Sequence, residues 1–237
     1  MKGVVLAGGT GSRLFPLTKV TNKHLLPVGN QPMIFYPVNK LIQAGITDIL
    51  IVTGLEHMGD VVQLLGSGKD FGCKFTYRVQ DEAGGIAQAL LLAEQFAGND
   101  SITVILGDNI FQDSLKDAVA TFVGGAKLLL KEVHDPERFG VATLEGDAIT
   151  NITEKPKQPA SNWAVTGIYM YDSHVFDIIR TCKPSARGEL EISDVNAAYL
   201  EKNSVGYAKL TGWWSDAGTF KSLANASRLV IEQPIHE

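Results

Sequence analysis

The sequence predicts an α/β protein: a three-layer α/β/α, Rossmann-like fold with a predominantly parallel central sheet and β-rich insertions in its second half. Three observations predict it. The first half alternates short apolar runs with amphipathic segments, those runs lack polar alternation, and after about residue 126 strand-like pieces follow one another with few helices between them. Continuous apolar runs are typical of parallel strands buried on both faces, and alternating strands and helices give a parallel sheet.

The elements of the first half are read in chain order. The predicted strands are VVLA (4–7), DILIVTG (48–54), KFTYRVQ (74–80) and ITVILGDN (102–109). The predicted helices are PMIFYPVNKLIQA (32–44), MGDVVQLLG (58–66) and GGIAQALLLAEQF (84–96). Pro32 is tolerated in a first helical turn, whereas Pro37 inside the pattern predicts a kink or a break.

The second half is richer in strands. Strand-like pieces are AKLLLKEV, GVATLE, AITNITEK and AVTGIYMYD, and helices are predicted at the centre of 187–202 and over 219–233. We find no linker, repeat or low-complexity segment, so the sequence predicts a single domain over residues 1–237. The change of pattern at about residue 126 divides this domain into a first part, about residues 1–125, and a second part, about residues 126–237.

Composition limits the classes of function. The chain has 237 residues, 45% hydrophobic and 20% charged, which suffices for a sizeable core. Its net charge of −5 disfavours a nucleic-acid partner. Cys73 and Cys182 lack the spacing of a zinc site or a disulfide framework. With no signal-peptide pattern and no membrane-spanning apolar run, we expect a cytoplasmic protein without a membrane partner.

Three polar stretches follow predicted strands. They are GGTGSR (8–13), QDEAGG (80–85) and GDN (107–109). Ligands of open parallel sheets bind beyond the carboxyl ends of the strands, so we expect these stretches to converge on one crevice.

The glycine stretch after the first strand is compatible with a phosphate-binding loop. The stretch does not match the dinucleotide-binding fingerprint, because Leu14 stands where the third glycine belongs, and this disfavours a dehydrogenase. It does not match the Walker loop either, because the Gly-Lys-Ser/Thr ending is absent. What remains is a glycine loop, whose N–H groups approach anions closely, followed by Arg13, whose forked guanidinium suits phosphate oxygens. The alternative is an ordinary strand–helix turn with a surface arginine.

Three further charged residues have both a functional and an ordinary interpretation. Lys23 lies among polar residues before an apolar run, where a solvated surface lysine is the ordinary interpretation. Asp108, at the tip of a buried strand, is suited to hold Mg²⁺ between phosphate oxygens. Asp216 in WWSDAGT precedes a predicted helix. Both aspartates also fit helix caps or turns, and spacing alone does not show that they share a metal.

Taken together, these stretches resemble one family. The matching segments are LAGGTGSRLFPLT (6–18), NKHLLPVGNQPM (22–33), VQDEAGGIAQAL (79–90), LGDN, ERFGVA, EKP, AVTGIYMYD, RGELEISDVN and WWSDAGT, in family order over nearly the whole chain. The sequence is similar to the sugar-1-phosphate nucleotidyltransferases, most closely to their glucose-1-phosphate thymidylyltransferase branch. The resemblance implies an Mg²⁺-dependent, in-line transfer of a thymidylyl group from dTTP to α-D-glucose 1-phosphate. The products would be dTDP-glucose and pyrophosphate, in the first step of dTDP-deoxysugar synthesis, such as that of dTDP-rhamnose.

The resemblance also implies roles for individual residues. It assigns the nucleotide to the first half of the chain, through Leu6, Gly8, Gly9, Gly11, Arg13, Lys23, Gln80, Gly85, Ile86 and Asp108. In this set Arg13 grips the triphosphate, Lys23 reaches the α-phosphate and the sugar phosphate, and Gln80 reads the base edge. Asp108 and Asp216 hold the metal, and with Arg13 and Lys23 they form the implied catalytic set.

The implied sugar-phosphate site lies in the second half of the chain. Gly140, Glu154 and Gly167 would contact hexose hydroxyls, and Val165 and Tyr169 would form the wall. Lys155 would contact the sugar phosphate or the bridging phosphates, and Arg187 the sugar phosphate. From the residues alone, a surface Glu154–Lys155 pair, a core Tyr169 and a helix-start ion pair at Arg187 are the ordinary alternatives.

Two departures from the family pattern affect what is expected. His24 follows Lys23 where many relatives carry glutamine. The chain stops soon after the helix that follows Asp216, whereas longer bacterial relatives carry C-terminal helices associated with oligomer contacts and a regulatory nucleotide site. We therefore expect small-molecule substrates as the partners of this protein, and a homo-oligomer remains an alternative to a monomer. A UTP-using uridylyltransferase and a non-catalytic sugar-nucleotide-binding regulator of the same fold remain alternatives.

Overall fold

The computed structural model describes residues 1–235 of the chain. Its strands are β1 (Lys2–Ala7), β2 (Pro27–Val28), β3 (Gln31–Pro32), β4 (Asp48–Gly54), β5 (Lys74–Gln80), β6 (Ile102–Leu106), β7 (Asn109–Phe111), β8 (Ala126–Glu132), β9 (Gly140–Glu145), β10 (Ala148–Glu154), β11 (Trp163–Tyr171), β12 (Val205–Lys209) and β13 (Trp214–Asp216). The α-helices are α1 (Phe35–Gln43), α2 (Met58–Leu65), α3 (Ile86–Leu91), α4 (Glu94–Ala97), α5 (Lys116–Ala120), α6 (Val175–Thr181), α7 (Ile192–Glu201) and α8 (Phe220–Glu232). None of the helices within residues 1–235 is long and apolar enough to cross a membrane.

One large sheet organises the molecule. Its main path runs β10-β9-β11-β6-β1-β4-β5, and β8 pairs with both β11 and β12. The strands β6, β1, β4 and β5 are mutually parallel. Strand β11 is antiparallel to β6, β8 and β9, so it joins the parallel first half to the β-rich second half.

The two faces of the sheet carry separate hydrophobic cores. In β1, Val4 and Leu6 pack into one core with α3, α6 and α7. Val5 and Ala7 point the other way, into a core with α1, α2 and α5. Successive strand residues point to opposite faces, so an uninterrupted apolar run serves both cores at once. The predicted three-layer fold class is confirmed.

Two predicted helices differ from the structure. Helix α1 begins at Phe35, so Pro32 lies in β3 and Pro37 lies in the first helical turn. There is no break at Pro37, because backbone N–H groups of a first turn have no partner within the helix. The helix predicted over 84–96 is divided into α3 and α4. Between them, Leu92 and Ala93 donate to carbonyls three residues back, a tight turn that ends α3.

A small two-stranded ribbon extends from the end of β6. The strand predicted over 102–109 stops at Leu106, and after a turn at 107–108 the chain forms β7, which pairs with β13. Asp216 lies opposite Asn109, and the N–H of Ala217 donates to the carbonyl of Asp108 at 2.8 Å. The ribbon therefore brings Asp108 and Asp216 together although they are far apart in sequence.

Charged side chains outside the cleft hold the ribbon in place. The Asp113 carboxylate accepts hydrogen bonds from the N–H groups of Thr211 (3.0 Å) and Gly212 (2.9 Å), just before β13. The buried Lys40 ammonium donates to the carbonyls of Gln112 (2.7 Å) and Asp113 (2.8 Å), just after β7. Both strands of the ribbon are thus held at the end where β7 finishes and β13 begins.

Candidate active site

A cleft of about 730 Å³ opens beyond the carboxyl ends of the parallel strands, where the three polar stretches meet. It is lined by every residue singled out above for the site except Gly11, namely Leu6, Gly8, Gly9, Arg13, Lys23, Gln80, Gly85, Ile86, Asp108, Gly140, Glu154, Lys155, Val165, Gly167, Tyr169, Arg187 and Asp216. The predicted convergence on one crevice is therefore observed. The ligand contacts assigned to these residues remain predictions.

Gly11 belongs to the glycine loop but is not among the residues that line the cleft. Its φ is +65°, and a Cβ there would come within 2.7 Å of Thr18 Cγ2 and 3.1 Å of Lys23 Cβ. Glycine is needed at this position for a left-handed turn packed against the segment that carries Lys23. Its predicted contact with the nucleotide remains a prediction.

Arg13 is exposed and reaches across the cleft to the turn after β13. A Cβ on Gly218 would lie 3.0 Å from Arg13 Nη2 and 3.3 Å from Asp216 Oδ2. The missing side chain at Gly218 leaves the space in which the guanidinium lies. The Arg13 guanidinium therefore lies beside the turn that follows Asp216.

Lys23 and Asp108 form a close ion pair at the centre of the cleft. Lys23 Nζ lies 2.6 Å from Asp108 Oδ2, and both side chains are largely buried. Burial alone would raise the pKa of the Asp108 carboxyl, but the charge of Lys23 and the hydrogen bonds from Lys23 and Asn109 hold that pKa well below its usual range. Asp108 is consequently a carboxylate at neutral pH.

Asn22 orients the segment that contains this pair. Its side-chain oxygen accepts from the His24 N–H at 2.9 Å, and its Nδ2 donates to the carbonyl of Ala7 in β1 at 3.2 Å. His24 is buried, and its Nδ1 lies 2.7 Å from Asn22 Oδ1. Burial and then the Lys23 charge lower the pKa of His24 to about 3, so the imidazole that replaces the usual glutamine is neutral. Sequence reasoning missed Asn22, although Asn before a helical turn is a capping signal.

The loop after β5 places Gln80 against the glycine loop. Gln80 Nε2 donates to Gln88 Oε1 at 2.9 Å, and the same oxygen accepts from the N–H of Gly84 at 2.9 Å. A Cβ on Gly8 would collide with Gln80 Oε1. Gly8 therefore leaves room for the amide that is predicted to read the base.

We expect Gly8→Ala to raise the KM for the nucleotide about two- to tenfold with little change in kcat, because the new methyl group displaces Gln80 and removes one hydrogen bond. Steady-state kinetics on Gly8→Ala, Gln80→Ala and the double variant measures the effect. The alanine at position 8 should have no further effect once Gln80 is gone. Equal losses from Gly8→Ala in both backgrounds would show that the methyl group obstructs the nucleotide directly.

Two backbone junctions join the first half of the chain, where the nucleotide is predicted to bind, to the second half, where the sugar phosphate is predicted to bind. Gly85 has a φ of +99°, and a Cβ there would lie 2.5 Å from the carbonyl oxygen of Leu190. Two backbone hydrogen bonds lie beside this contact. The Leu190 N–H donates to the carbonyl of Gly84 at 2.8 Å, and the Ala87 N–H donates to the carbonyl of Leu190 at 3.2 Å. The close approach requires glycine at position 85.

The second junction is a bulge in β11. The register of β11 against β8 shifts between Val165 and Tyr169. The freed N–H of Gly167 donates to Asn109 Oδ1 at 2.9 Å, and Trp214 Nε1 donates to the same oxygen at 2.8 Å. Sequence reasoning assigned no role to Asn109, although a polar residue directly after Asp108 at a strand tip was the signal.

The end of the cleft that is predicted to bind the sugar phosphate carries several charged side chains and one residue with a strained backbone conformation. Lys155 Nζ lies 3.2 Å from Glu154 Oε1, and Lys155 has a φ of +42°, an uncommon conformation for a residue other than glycine. Arg187 Nη2 contacts both Glu191 oxygens, at 2.8 and 2.9 Å. Tyr169 is buried and stacks on Tyr171. The ion pairs of Glu154 with Lys155 and of Arg187 with Glu191, and the burial of Tyr169, are therefore all observed. Each of these residues also lines the cleft.

Comparison with known proteins places this geometry in a family. The nucleotidyl transferase profile matches residues 2–233. The chain belongs to the nucleotidyl transferase family. The glucose-1-phosphate thymidylyltransferase of Neisseria meningitidis serogroup A is 47% identical to this nucleotidyl transferase over 238 residues, covering 97% of this chain and 82% of that protein. The glucose-1-phosphate thymidylyltransferase of Mycolicibacterium smegmatis is 43% identical over 236 residues, with the same coverage.

Solved structures share the fold of this nucleotidyl transferase. A Bacillus anthracis protein assigned as a glucose-1-phosphate thymidylyltransferase, in complex with sucrose, matches with a TM-score of 0.95 and 60% identity over 100% of this chain and 98% of that chain. A UDP-glucose pyrophosphorylase complexed with UDP-glucose matches with a TM-score of 0.85 and 25% identity over 98% of both chains.

Two carboxylates in the cleft of this nucleotidyl transferase suit a hard divalent cation. Asp108 and Asp216 both face the cleft, and within residues 1–235 no three His, Cys, Asp or Glu side chains form a complete metal-binding group. Mg²⁺ is usually held by one or two carboxylates together with substrate phosphates and water. The pair of aspartates fits that pattern.

Several lining residues of this nucleotidyl transferase have no role in the sequence prediction. They are Thr10, His24, Ala83, Ala89, Leu106, Asn109, Arg138, Phe139, Glu189, Glu191, Ile192 and Trp214. Most adjoin predicted residues in the matching segments, which was the available signal. Their orientation toward the cleft depends on turns and pairings that the sequence pattern does not describe.

Proposed function

We propose that this chain transfers a thymidylyl group from dTTP to α-D-glucose 1-phosphate, giving dTDP-glucose and pyrophosphate, as a cytoplasmic, Mg²⁺-dependent enzyme. One observation supports it above the others: a single cleft collects Arg13, Lys23, Asp108 and Asp216 at one end and Lys155 and Arg187 at the other. The names of the relatives agree with this substrate pair. The homo-oligomer stays an open prediction, which light scattering in solution tests.

The chemistry requires positioning and charge neutralisation. A phosphate oxygen of the sugar 1-phosphate attacks the α-phosphorus, a new oxygen–phosphorus bond forms, and the bond to the bridging oxygen of the β-phosphate breaks. Pyrophosphate leaves with that electron pair. The nucleophile is already anionic at neutral pH, so no general base is needed. Fixed cations accelerate such a transfer by holding two polyanions in line and stabilising the charge on the leaving group.

The nucleotide end supplies two of these cations. Arg13 lies exposed over the turn at Gly218 and presents a forked donor to the β- and γ-phosphates that leave. Lys23 lies deeper in the cleft than Arg13. Its ammonium donates to Asp108, which holds it in position for the α-phosphate. Gln80 and the loop at Gly85 orient the base. Asp108 and Asp216 would hold Mg²⁺, which when bound neutralises charge on the triphosphate.

The sugar end receives the second substrate. The guanidinium of Arg187, bound to Glu191, and the ammonium of Lys155, bound to Glu154, are the cations available to the sugar phosphate. Glu154 can also accept hydrogen bonds from hexose hydroxyls. The junction of Gly85 with Leu190 sets the distance between the two substrates, because it joins the loop that holds the base to the segment that leads into α7.

A uridylyltransferase is the one second candidate that an observation favours. The UDP-glucose pyrophosphorylase structure matches nearly the whole chain. The amide of Gln80 and the backbone at Gly85 can pair with features common to thymine and uracil. Discrimination then depends on the thymine methyl group and the absent 2′-hydroxyl.

A competition assay tests the proposal. The protein is incubated with glucose 1-phosphate, Mg²⁺ and equal concentrations of dTTP and UTP, and the sugar nucleotides are separated and identified by mass. We expect dTDP-glucose to predominate, with one pyrophosphate released per product. Predominant UDP-glucose would instead support the uridylyltransferase. No product over a broad panel of sugar phosphates and nucleotides would contradict an enzymatic role and leave the regulator.

A further inference from the structure

Arg138 contacts a carboxylate oxygen that a divalent cation would need. Its Nη2 lies 3.2 Å from Asp216 Oδ1. The other oxygen, Oδ2, accepts from the N–H of Gly218 and the hydroxyl of Ser222, both at 3.3 Å, and so faces the start of α8. Oδ1 is therefore the oxygen available to a cation in the cleft, and Arg138 already occupies it.

The surroundings of Arg138 allow it to leave Asp216 without disrupting the fold. Its Nη1 lies 2.6 Å from Asp135 on the same turn, so a second carboxylate remains as a partner. The turn is attached to β13 independently, because the Phe139 and Trp214 rings pack edge to face at 5.2 Å. The side chain of Arg138 is 40% exposed, compared with 11% for Lys23, which pairs with the other aspartate. Arg138 is thus the more solvent-accessible of the two counter-ions.

Lys23, which pairs with Asp108, and Arg138, which pairs with Asp216, come from different parts of the chain. Lys23 comes from the first half of the chain, directly beside the glycine loop. Arg138 comes from the turn that leads into β9, where Gly140 begins the sugar end of the cleft. A cation that replaces Arg138 at Asp216 therefore releases a guanidinium on the side from which the sugar phosphate approaches.

We propose that Arg138 is an exchangeable counter-ion of Asp216: it occupies the oxygen facing the cleft in the nucleotide-free protein and yields it to the divalent cation. This rests on the proposed function, which places the cation at Asp108 and Asp216. Arg138 competes with the cation, so the free protein binds the metal more weakly than its two carboxylates alone would. Premature occupation by metal without nucleotide is thereby suppressed.

Binding of Mn²⁺ to the nucleotide-free protein tests the exchange. Mn²⁺ replaces Mg²⁺ because its electron paramagnetic resonance signal reports the free ion. We expect Arg138→Gln to bind Mn²⁺ about two- to tenfold more tightly than the wild type, since a partly exposed competing ion pair is removed. Arg180→Gln is the matched control, because it removes an equally paired, exposed arginine of α6 and changes the net charge by the same amount. Arg138→Lys should stay close to the wild type.

Further variants separate this proposal from the proposed function. Asp216→Asn should remove the gain in the Arg138→Gln background, and thermal melting checks that each variant is folded. Unchanged or weaker Mn²⁺ binding by Arg138→Gln, or an equal gain in Arg180→Gln, would overturn the exchange. Failure of both the wild type and Arg138→Gln to bind millimolar Mn²⁺ would also overturn it. None of these measurements uses the substrates, so they do not depend on which nucleotide is turned over.

Discussion

Asp108→Asn is expected to lower kcat about 10²- to 10³-fold, a loss comparable to that from removing one preorganised electrostatic group from an active site. The substitution keeps the shape of the side chain but removes the charge that pairs with Lys23 and that the proposed divalent cation would require. Lys23 Nζ would remain 2.6 Å from a neutral amide, in a largely buried position. Turnover of dTTP and glucose 1-phosphate at saturating Mg²⁺ is the measurement.

Two comparisons make the Asp108 result interpretable. dTTP binding in the presence of EDTA should survive in Asp108→Asn, because Gln80, Gly85 and Arg13 are unchanged. Asp117→Asn, which neutralises an exposed carboxylate of α5, should retain wild-type turnover. If a folded Asp108→Asn protein turns over normally, the predicted metal site is wrong. If the wild type itself binds nucleotide but never turns over, the regulator becomes the better interpretation.

Arg13→Ala is expected to lower kcat/KM about 10²- to 10³-fold while the unfolding temperature stays within a few degrees of the wild type. The side chain is exposed and lies over the turn at Gly218, so its removal leaves no buried cavity. Without Arg13, the departing pyrophosphate has no forked donor to stabilise its charge. Arg13→Lys should recover only part of the activity, because an ammonium lacks the forked geometry. Pyrophosphate release and thermal melting provide the two measurements.

Lys19 offers the matched control for Arg13. It is an exposed cation in the next helical turn of the same segment, and it does not line the cleft. Lys19→Ala should therefore change turnover less than twofold. Comparable losses in Lys19→Ala and Arg13→Ala would indicate general electrostatic attraction of the substrates, and the specific role of Arg13 would then be untenable.

The fold was predictable where one physical effect dominates. The segment DILIVTG coincides with β4 to the residue, because an inner parallel strand buried on both faces carries an unbroken apolar run. The segment KFTYRVQ also coincides with β5 to the residue, and there the alternation of apolar and polar residues suits a strand at the edge of the sheet. Helix α1 was misplaced because Pro37 has opposite meanings in the first turn and in the interior of a helix. Local sequence does not show which applies until the start of the helix is known.

The β7–β13 ribbon could not be predicted in the same way. Each strand has three residues, too few to show periodicity, and their pairing joins Asn109 to Asp216 across much of the chain. The order of motifs along the sequence indicated which residues matter, but it did not indicate that Arg138 touches Asp216 or that Glu191 holds Arg187. Gly11 shows the converse: its residue type was informative, but the sequence did not indicate that it packs against Thr18 and Lys23.

The position of β11 in the sheet has a consequence for how the protein is made. The strands β1, β4, β5 and β6 can pair with one another as soon as the first half has been synthesised, but β6 then has β1 on one side and nothing on the other. Its hydrogen-bonding edge stays open until β11 has emerged and paired with it. Open edges of apolar strands recruit other chains. A ribosome that pauses between the two halves would therefore expose a nascent chain prone to aggregation, and a chaperone that covers the β6 edge would be most useful during that interval.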